Sequence, residues 1–398
     1  MIKILLLSAL FGLTALAPSA CRQSAPADVV TPPKPRTLVK AELLGTYTPE
    51  QLKGRYNGAT SFLRLLTQFG IKVYRLSYNT TNTDGRAIVA SGAVLVPQTT
   101  QALSLISMQH GTISSDDQAP SYYRSSSEAY TFGSVFASVG YIVAAPDYIG
   151  YGASNNVPHP YEHNASLASA SLDMLRATKE FLADEHVNWN EKLYTAGYSE
   201  GGFATMALQK KLEAEALGEF NLIASSAGAG AYDKPAFMQH IVNTRTQGSI
   251  DYNRLYLWVL LTYDRVYGLN RPASYYFKEP YASRVQANGR SALLNVSFNE
   301  ALTDTFRQAV QNGTDADFIR SVQDNDIHDW KPITPTRLYH GDADNTVFYF
   351  NTQNAYDAMQ KQGATNVGLY RLPGRTHATG ILDFVLGTFE FFSSKQAQ

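Results

Sequence analysis

The chain has one cysteine, Cys21, in 398 residues. No internal disulfide can form, so its stability must come from packing. Charge is nearly balanced, with 33 Lys and Arg against 34 Asp and Glu. With no basic run either, nucleic acid is excluded as an expected partner. No self-similarity appears at solenoid periods. The longest apolar stretch, Ile4 to Ala17, is too short to remain in a bilayer as a spanning helix, which needs about 20 residues. Tryptophan is scarce, 3 against 25 tyrosines, so much of the aromatic surface ends in a hydroxyl. What is plentiful is apolar residue, 44% of the chain, enough for one large α/β domain with an insertion.

The N-terminus reads as an export signal. Met1-Ile2-Lys3 carries the positive charge, Ile4 to Ala17 is the apolar segment, and Pro18-Ser19-Ala20 precedes Cys21. A small-residue site before a lone cysteine resembles a bacterial lipoprotein signal. That resemblance implies lipidation of Cys21, membrane association through the lipid anchor and a place in the cell envelope. Pro18 stands where such signals usually have an aliphatic residue, which leaves ordinary secretory cleavage open. Residues 1–20 are therefore read as the signal, and 21–42 as the lipidated N-terminus and a tether rich in proline (Pro26, Pro32, Pro33, Pro35).

Chemistry enters at Gly197-Tyr198-Ser199-Glu200-Gly201. An apolar run, Leu193 to Ala196, precedes it and a helix-compatible run, Gly202 to Leu208, follows. This is the pattern of a nucleophile elbow, a strand, a sharp turn carrying serine, and a helix. The turn crowds its neighbours, hence glycine on both sides. The five-residue pattern arises by chance in roughly one of seven chains of this length, so the surrounding sequence has to decide. Downstream, Leu338-Tyr339-His340-Gly341-Asp342-Ala343-Asp344 reads as a strand ending in an acidic loop. A second strand, Gly368 to Gly374, then leads to His377. Ser, Asp, His is the chain order of an α/β-hydrolase triad. Asp342 competes with Asp344 for the acid, and the His-Gly-x-x-Asp spacing favours Asp344.

Upstream, Leu105 to His110 is a buried-strand pattern running into Gly111-Thr112. The backbone N–H groups of Thr112 and Glu200 are the candidate oxyanion donors. His110 is read as a packed structural histidine. Strands and helices then alternate through Ser226, as in a mostly parallel sheet covered on both faces. The alternation stops between Ala231 and Ile333, a stretch with Tyr252, Tyr256, Tyr263, Tyr267, Tyr275, Tyr276, Tyr281 and Trp258. The expectation is a core of residues 43–230 and 334–398 with a helical cap, 231–333, inserted after the sixth strand. Most of those aromatics would form the cap's own core and a few would line the pocket. His159-Pro160-Tyr161-Glu162-His163 matches a zinc-protease pattern, but the prolines keep its first histidine off a helix face, and no metal is assigned.

Taken together, Gln109 to Thr112, the Pro146-to-Gly152 loop, His159-Pro160-Tyr161, Gly197 to Gly202, Trp330 through Asp344 and His377 make the chain resemble the α/β-hydrolase superfamily. Within it, the likeness is to the capped secretory lipase and esterase group. The resemblance implies hydrolysis of carboxylic esters, lipid or small-molecule, by Ser199, His377 and Asp344 through an acyl-enzyme and without a cofactor. The acyl chain is expected to be short to medium. A serine aminopeptidase of the same fold, with Glu200 or Glu162 as amine anchor, and a carbohydrate acyl esterase are the alternatives. The oligomeric state is not legible.

Overall fold

The computed structural model describes residues 35–396. The expected signal 1–20, Cys21 and most of the tether lie outside them. Nine strands form one sheet: β1 (Leu38–Tyr47), β2 (Ile71–Thr81), β3 (Ala87–Pro97), β4 (Leu103–Gln109), β5 (Tyr141–Pro146), β6 (Trp189–Tyr198), β7 (Asn221–Gly228), β8 (Thr336–Gly341) and β9 (Val367–Leu372). Their order is β1-β2-β3-β5-β4-β6-β7-β8-β9. The β1–β2, β2–β3 and β3–β5 pairs are antiparallel, and every pair from β5 to β9 is parallel.

Every residue of β4 and β5 is buried, because helices cover both faces of the sheet and leave neither to water. On one face, Leu105, Ile142 and Leu193 pack with Leu172 and Phe181 of the Asn164–Asp184 helix and Leu208 of the Glu200–Glu215 helix. On the other, Ile106, Val143 and Tyr194 meet Phe136 together with Phe384, Phe391 and Phe392 of the C-terminal Ile381–Gln396 helix. Adjacent residues such as Leu105 and Ile106 thus feed opposite layers, as the two-residue strand period requires.

One boundary and one strand count differ from the sequence reading. The chain already forms a strand at Leu38, within the stretch 21–42 given to the tether. β1 is an edge strand with most of its residues exposed, so it has no apolar alternation to announce it. Because β1 shifts the count, the long insertion follows β7 rather than the sixth strand. Between β7 and β8 the chain is helical, with the longer helices at Lys234–Asn243, Ile250–Val266, Tyr281–Asn288, Asp304–Gln311 and Ala316–Asp324. Side chains of Asp233, Thr303 and Asp315 cap three of these helices.

The insertion has its own aromatic core. Phe306 meets Phe318 at 5.1 Å between ring centres and Tyr276 at 5.0 Å, edge to face. Arg271 donates to Asp315 at 2.7 Å alongside. Phe318 is fully buried, so Phe318→Ala opens a cavity that this helix cluster cannot fill. It should cost about 3–5 kcal/mol, read as a lower urea midpoint with an unchanged slope.

Candidate active site

The functional side chains sit where parallel strands end. Ser199 follows β6 and occupies φ 61°, ψ −125°, a region a side chain enters only under strain. The turn is tight. A Cβ on Gly197 would run into the carbonyls of Gly201 and Gln109, and one on Gly202 into the carbonyl of Gly228. Ser199 N–H donates to Gly228 O at 2.9 Å and Phe203 N–H to Ser199 O at 3.0 Å, so both backbone groups of the strained residue are held. Glu200 opens the following helix, which leaves its N–H without an intrahelical acceptor.

His377, beyond β9, places Nε2 2.8 Å from Ser199 Oγ and Nδ1 2.6 Å from Asp344 Oδ2. Asp344, beyond β8, also accepts from Thr346 N–H at 2.8 Å and Val347 N–H at 3.0 Å. Asp342 points elsewhere, bonding Arg371 Nε at 2.8 Å and Gly374 N–H at 2.6 Å. Two side chains brace this line and a third braces the loop at Thr112, in contacts that the motifs alone do not reveal. His340 bonds Thr352 Oγ1 at 2.6 Å and Val347 O at 2.7 Å, with Asp344 Oδ2 at 3.2 Å. Tyr198 OH donates to His377 O at 2.8 Å. Tyr161 OH lies 2.8 Å from Thr112 Oγ1. Each contact spans elements far apart in sequence except that of His340, whose place at a strand end was the one available signal.

Ser199, His377 and Thr112 open into a cavity of about 700 Å³, a size suited to a small-molecule ligand. Its floor is apolar: Met108, Phe132, Phe136, Ile381, Phe384 and Val385. Its rim on the insertion side carries Asp251, Tyr252, Arg254, Trp258, Arg290 and Ser291. Several of the insertion's tyrosines are turned inward. Tyr256, Tyr263 and Tyr276 are buried, with hydroxyls on Thr346 O, Glu162 O and Asp264. Glu200 and Glu162, the anchors considered for a peptide amine, do not line the cavity. Glu200 Oε1 meets His159 Nε2 at 2.7 Å, and Glu162 pairs with buried Lys234. His163 caps the Asn164–Asp184 helix. Among the described residues, one cluster, Asp233, Asp326 and His328, has ligand-like spacing. Its groups are taken up by Ala236 N–H, Asn354 and one another.

Burial opposes ionisation of Asp344, yet hydrogen bonds from His340 and His377 outweigh it and hold the carboxyl well below the usual range. Unfolded aspartate titrates near about 3.9. With the folded value depressed, the unfolded state takes up the proton first as pH falls. The stabilisation from ionised Asp344 is thus complete above about pH 4 to 5 and drains away below it. Asp344→Asn should flatten the fall in unfolding free energy between about pH 4 and pH 2, measured by urea unfolding at each pH. An unchanged slope would show that Asp344 is not ionised in the native state.

The family model of the secretory lipases matches residues 129–382, more than half of the chain. No curated protein sequence matches. Among solved structures, a Legionella pneumophila protein with a proposed hydrolase assignment superposes with a TM-score of 0.82 at 24% identity, covering 91% of this chain and 99% of its own. The rice cell wall degrading esterase LipA of Xanthomonas oryzae gives 0.74 at 22%, covering 90% and 99%. Candida antarctica lipase A in its closed state gives 0.65 at 17%, covering 90% and 81%. At these identities the structures speak for the fold, which is that of the α/β-hydrolases. The sequence match carries the assignment further: this chain belongs to the secretory lipase family and is a carboxylic ester hydrolase.

Proposed function

We propose that the chain hydrolyses esters of short-to-medium acyl chains, with Ser199 as nucleophile, His377 as general base and Asp344 as the acid that orients it. The observation that carries this reading is the hydrogen-bonded line from Asp344 Oδ2 through both nitrogens of His377 to Ser199 Oγ, at 2.6 and 2.8 Å. Nδ1–H donates to the carboxylate, which leaves the Nε2 lone pair for the serine proton. Oγ attacks the ester carbonyl as its proton passes to Nε2. The tetrahedral intermediate collapses to the acyl-enzyme, and the alkoxide leaves with the proton from Nε2. Water, deprotonated by the same nitrogen, then attacks the acyl carbon and frees the acid and Ser199. The Thr112 and Glu200 N–H groups take the oxyanion, each contributing about 2.7–4 kcal/mol if it behaves like other such donors.

The cavity supports a division of the substrate. The acyl chain runs onto the floor between Phe132, Phe136, Phe384 and Val385, while the alcohol moiety faces the rim of Trp258, Arg290, Arg254 and Ser291. That polar rim favours a hydroxyl-bearing alcohol, which keeps a sugar ester among the candidate substrates; the cell-wall esterase among the structural neighbours fits the same reading. The insertion acts as a cap that keeps water from the reacting centre. Export follows from the family, and no helix among the described residues is long and apolar enough to cross a membrane. Lipid anchoring at Cys21 is the mode of attachment we propose.

Ser199→Ala should lower kcat about 10⁶-fold with the fold intact. Asp344→Asn should lose about 10⁴-fold, because asparagine favours the wrong tautomer, and Asp342→Asn far less. Assaying the three variants with a nitrophenyl ester decides the assignment. A Ser199→Ala enzyme keeping a tenth of the activity would sink it, and the reverse ranking of the aspartates would move the acid to Asp342.

Each methylene buried on the floor adds up to about 0.8 kcal/mol. kcat/KM should therefore rise from acetate to butyrate or hexanoate esters, by up to about 3 kcal/mol of barrier, and fall once the floor is filled. Val385→Trp should move that optimum toward acetate. A wild-type preference for acetyl over butyryl esters would instead favour a carbohydrate deacetylase.

A further inference from the structure

Two peptide planes carry the chain from the end of β4 into the cavity. In the first, between His110 and Gly111, the carbonyl accepts from Tyr148 OH at 3.0 Å and the N–H donates to Glu128 Oε1 at 3.1 Å. In the second, between Gly111 and Thr112, the carbonyl faces His110 Nδ1 at 2.7 Å. Three of the four polar groups are thus occupied by side chains. Among the described residues, the fourth, Thr112 N–H, has no protein partner.

That remaining group is the candidate oxyanion donor. A trans peptide is planar, and its C=O and N–H point in opposite directions. A hydrogen bond that pins the Gly111 carbonyl therefore also aims the Thr112 N–H. The ring that does the pinning is itself fixed. Tyr148 stacks on His110 at 4.2 Å between ring centres, which holds the ring with Nδ1–H on the Gly111 carbonyl. Tyr148 is fully buried and holds a positive φ of 66°, so its own backbone is over-determined in the way strained functional residues are. The loop also lies against the elbow, since a Cβ on Gly111 would stand 3.8 Å from Ser199 Cβ.

We propose that His110, Tyr148 and Glu128 are positioning residues that clamp the two peptides and hold the Thr112 N–H aimed at the oxyanion site before substrate arrives. The proposal rests on the reading of Ser199 as nucleophile and adds to it three side chains that act through the peptides they hold. Preorganised donors stabilise a developing charge without reorganising as it forms. Glu128 holds its end of the clamp by accepting the Gly111 N–H at 3.1 Å. It faces the cavity with no Lys or Arg in salt-bridge contact among the described residues, and burial pushes its carboxyl above the usual range. A carboxyl oxygen can take the Gly111 N–H in either protonation state.

The test compares Glu128→Ala, Glu128→Gln and Tyr148→Phe for kcat and KM on a nitrophenyl butyrate. Affinity for an alkylboronic acid, which forms a tetrahedral adduct on the serine, and the thermal midpoint complete the comparison. Glu128→Ala and Tyr148→Phe should each lower kcat about 10- to 100-fold with KM nearly unchanged, and weaken boronate binding in parallel. Glu128→Gln, whose neutral amide oxygen can take the same N–H, should restore most of what Glu128→Ala loses. Wild-type kcat in Glu128→Ala and Tyr148→Phe would overturn the clamp, and so would failure of Glu128→Gln to rescue. If Glu128→Ala does not fold, Tyr148→Phe, which removes one oxygen and keeps the stacked ring, decides alone. Ser199→Ala separates the two claims: its survival defeats the nucleophile reading, whereas an inactive Ser199→Ala beside unimpaired clamp variants defeats only the clamp.

Discussion

A serine held at φ 61° is the constraint around which the rest of this structure is arranged. Backbone in that region costs about 1–3 kcal/mol and persists only where its surroundings over-determine it. Here they do so through geometry that tolerates no side chain at Gly197 or Gly202, where neighbouring carbonyls already occupy the space. The turn is also pinned from two sides, by Gly228 O below and the first turn of the Glu200–Glu215 helix above. The strain sets the serine at the helix N-terminus, where unpaired N–H groups point. The parallel order of β4, β6, β8 and β9 then follows as a requirement. Thr112, Ser199, Asp344 and His377 come from four loops, and only strands running in one direction bring those loops to one edge of the sheet.

The second constraint is electrostatic. Several ionisable groups lie inside the protein near that edge, and each has a specific partner. Asp344 is held by two histidines and two backbone N–H groups, Glu200 by His159, Glu162 by Lys234, and Asp147 by Ser91 and Ser121 N–H. Removing one partner from such a pair leaves a stranded charge or dipole, which costs far more than the pair contributes. The polar layer under the loops therefore resists deformation. A rigid base suits a site whose donors have to be in place beforehand, and it leaves the adaptable surface to the insertion at the cavity rim.

What the sequence made legible divides along the same lines. The elbow could be read because its requirements are local: a serine with glycines at fixed offsets between a strand and a helix. β4 and β5 could be read because strands buried on both faces are continuously apolar. β1 could not, since an edge strand with Lys40 and Glu42 on its open side lacks the alternation that marks a half-buried strand. Glu128 was invisible for another reason. It lies 17 residues from the N–H it accepts, at the start of a wide helical turn, Ala129–Gly133, that no residue preference announces. His110 was legible as a strand-end histidine but not as a partner of its own following peptide, because that contact depends on how the loop bends after Gly111.

The insertion uses its aromatic residues first for its own packing. Seven tyrosines and a tryptophan between Tyr252 and Tyr281 point to a layer with an aromatic core of its own and a few rings left for the cavity, because an added helical layer must first bury its own faces. Tyr256, Tyr263 and Tyr276 do this, each placing its hydroxyl on an internal acceptor. What remains for the cavity is Tyr252, Trp258 and charged side chains at the rim, whereas the apolar lining comes from the two core helical segments around Phe136 and Phe384. The floor thus belongs to the same packed layer that supports the sheet. On the proposed placement of the acyl chain, changes of its preference have to be reconciled with the stability of the core, while changes at the rim do not. On the same proposal, selection on the alcohol moiety is the less constrained direction in which this site can vary.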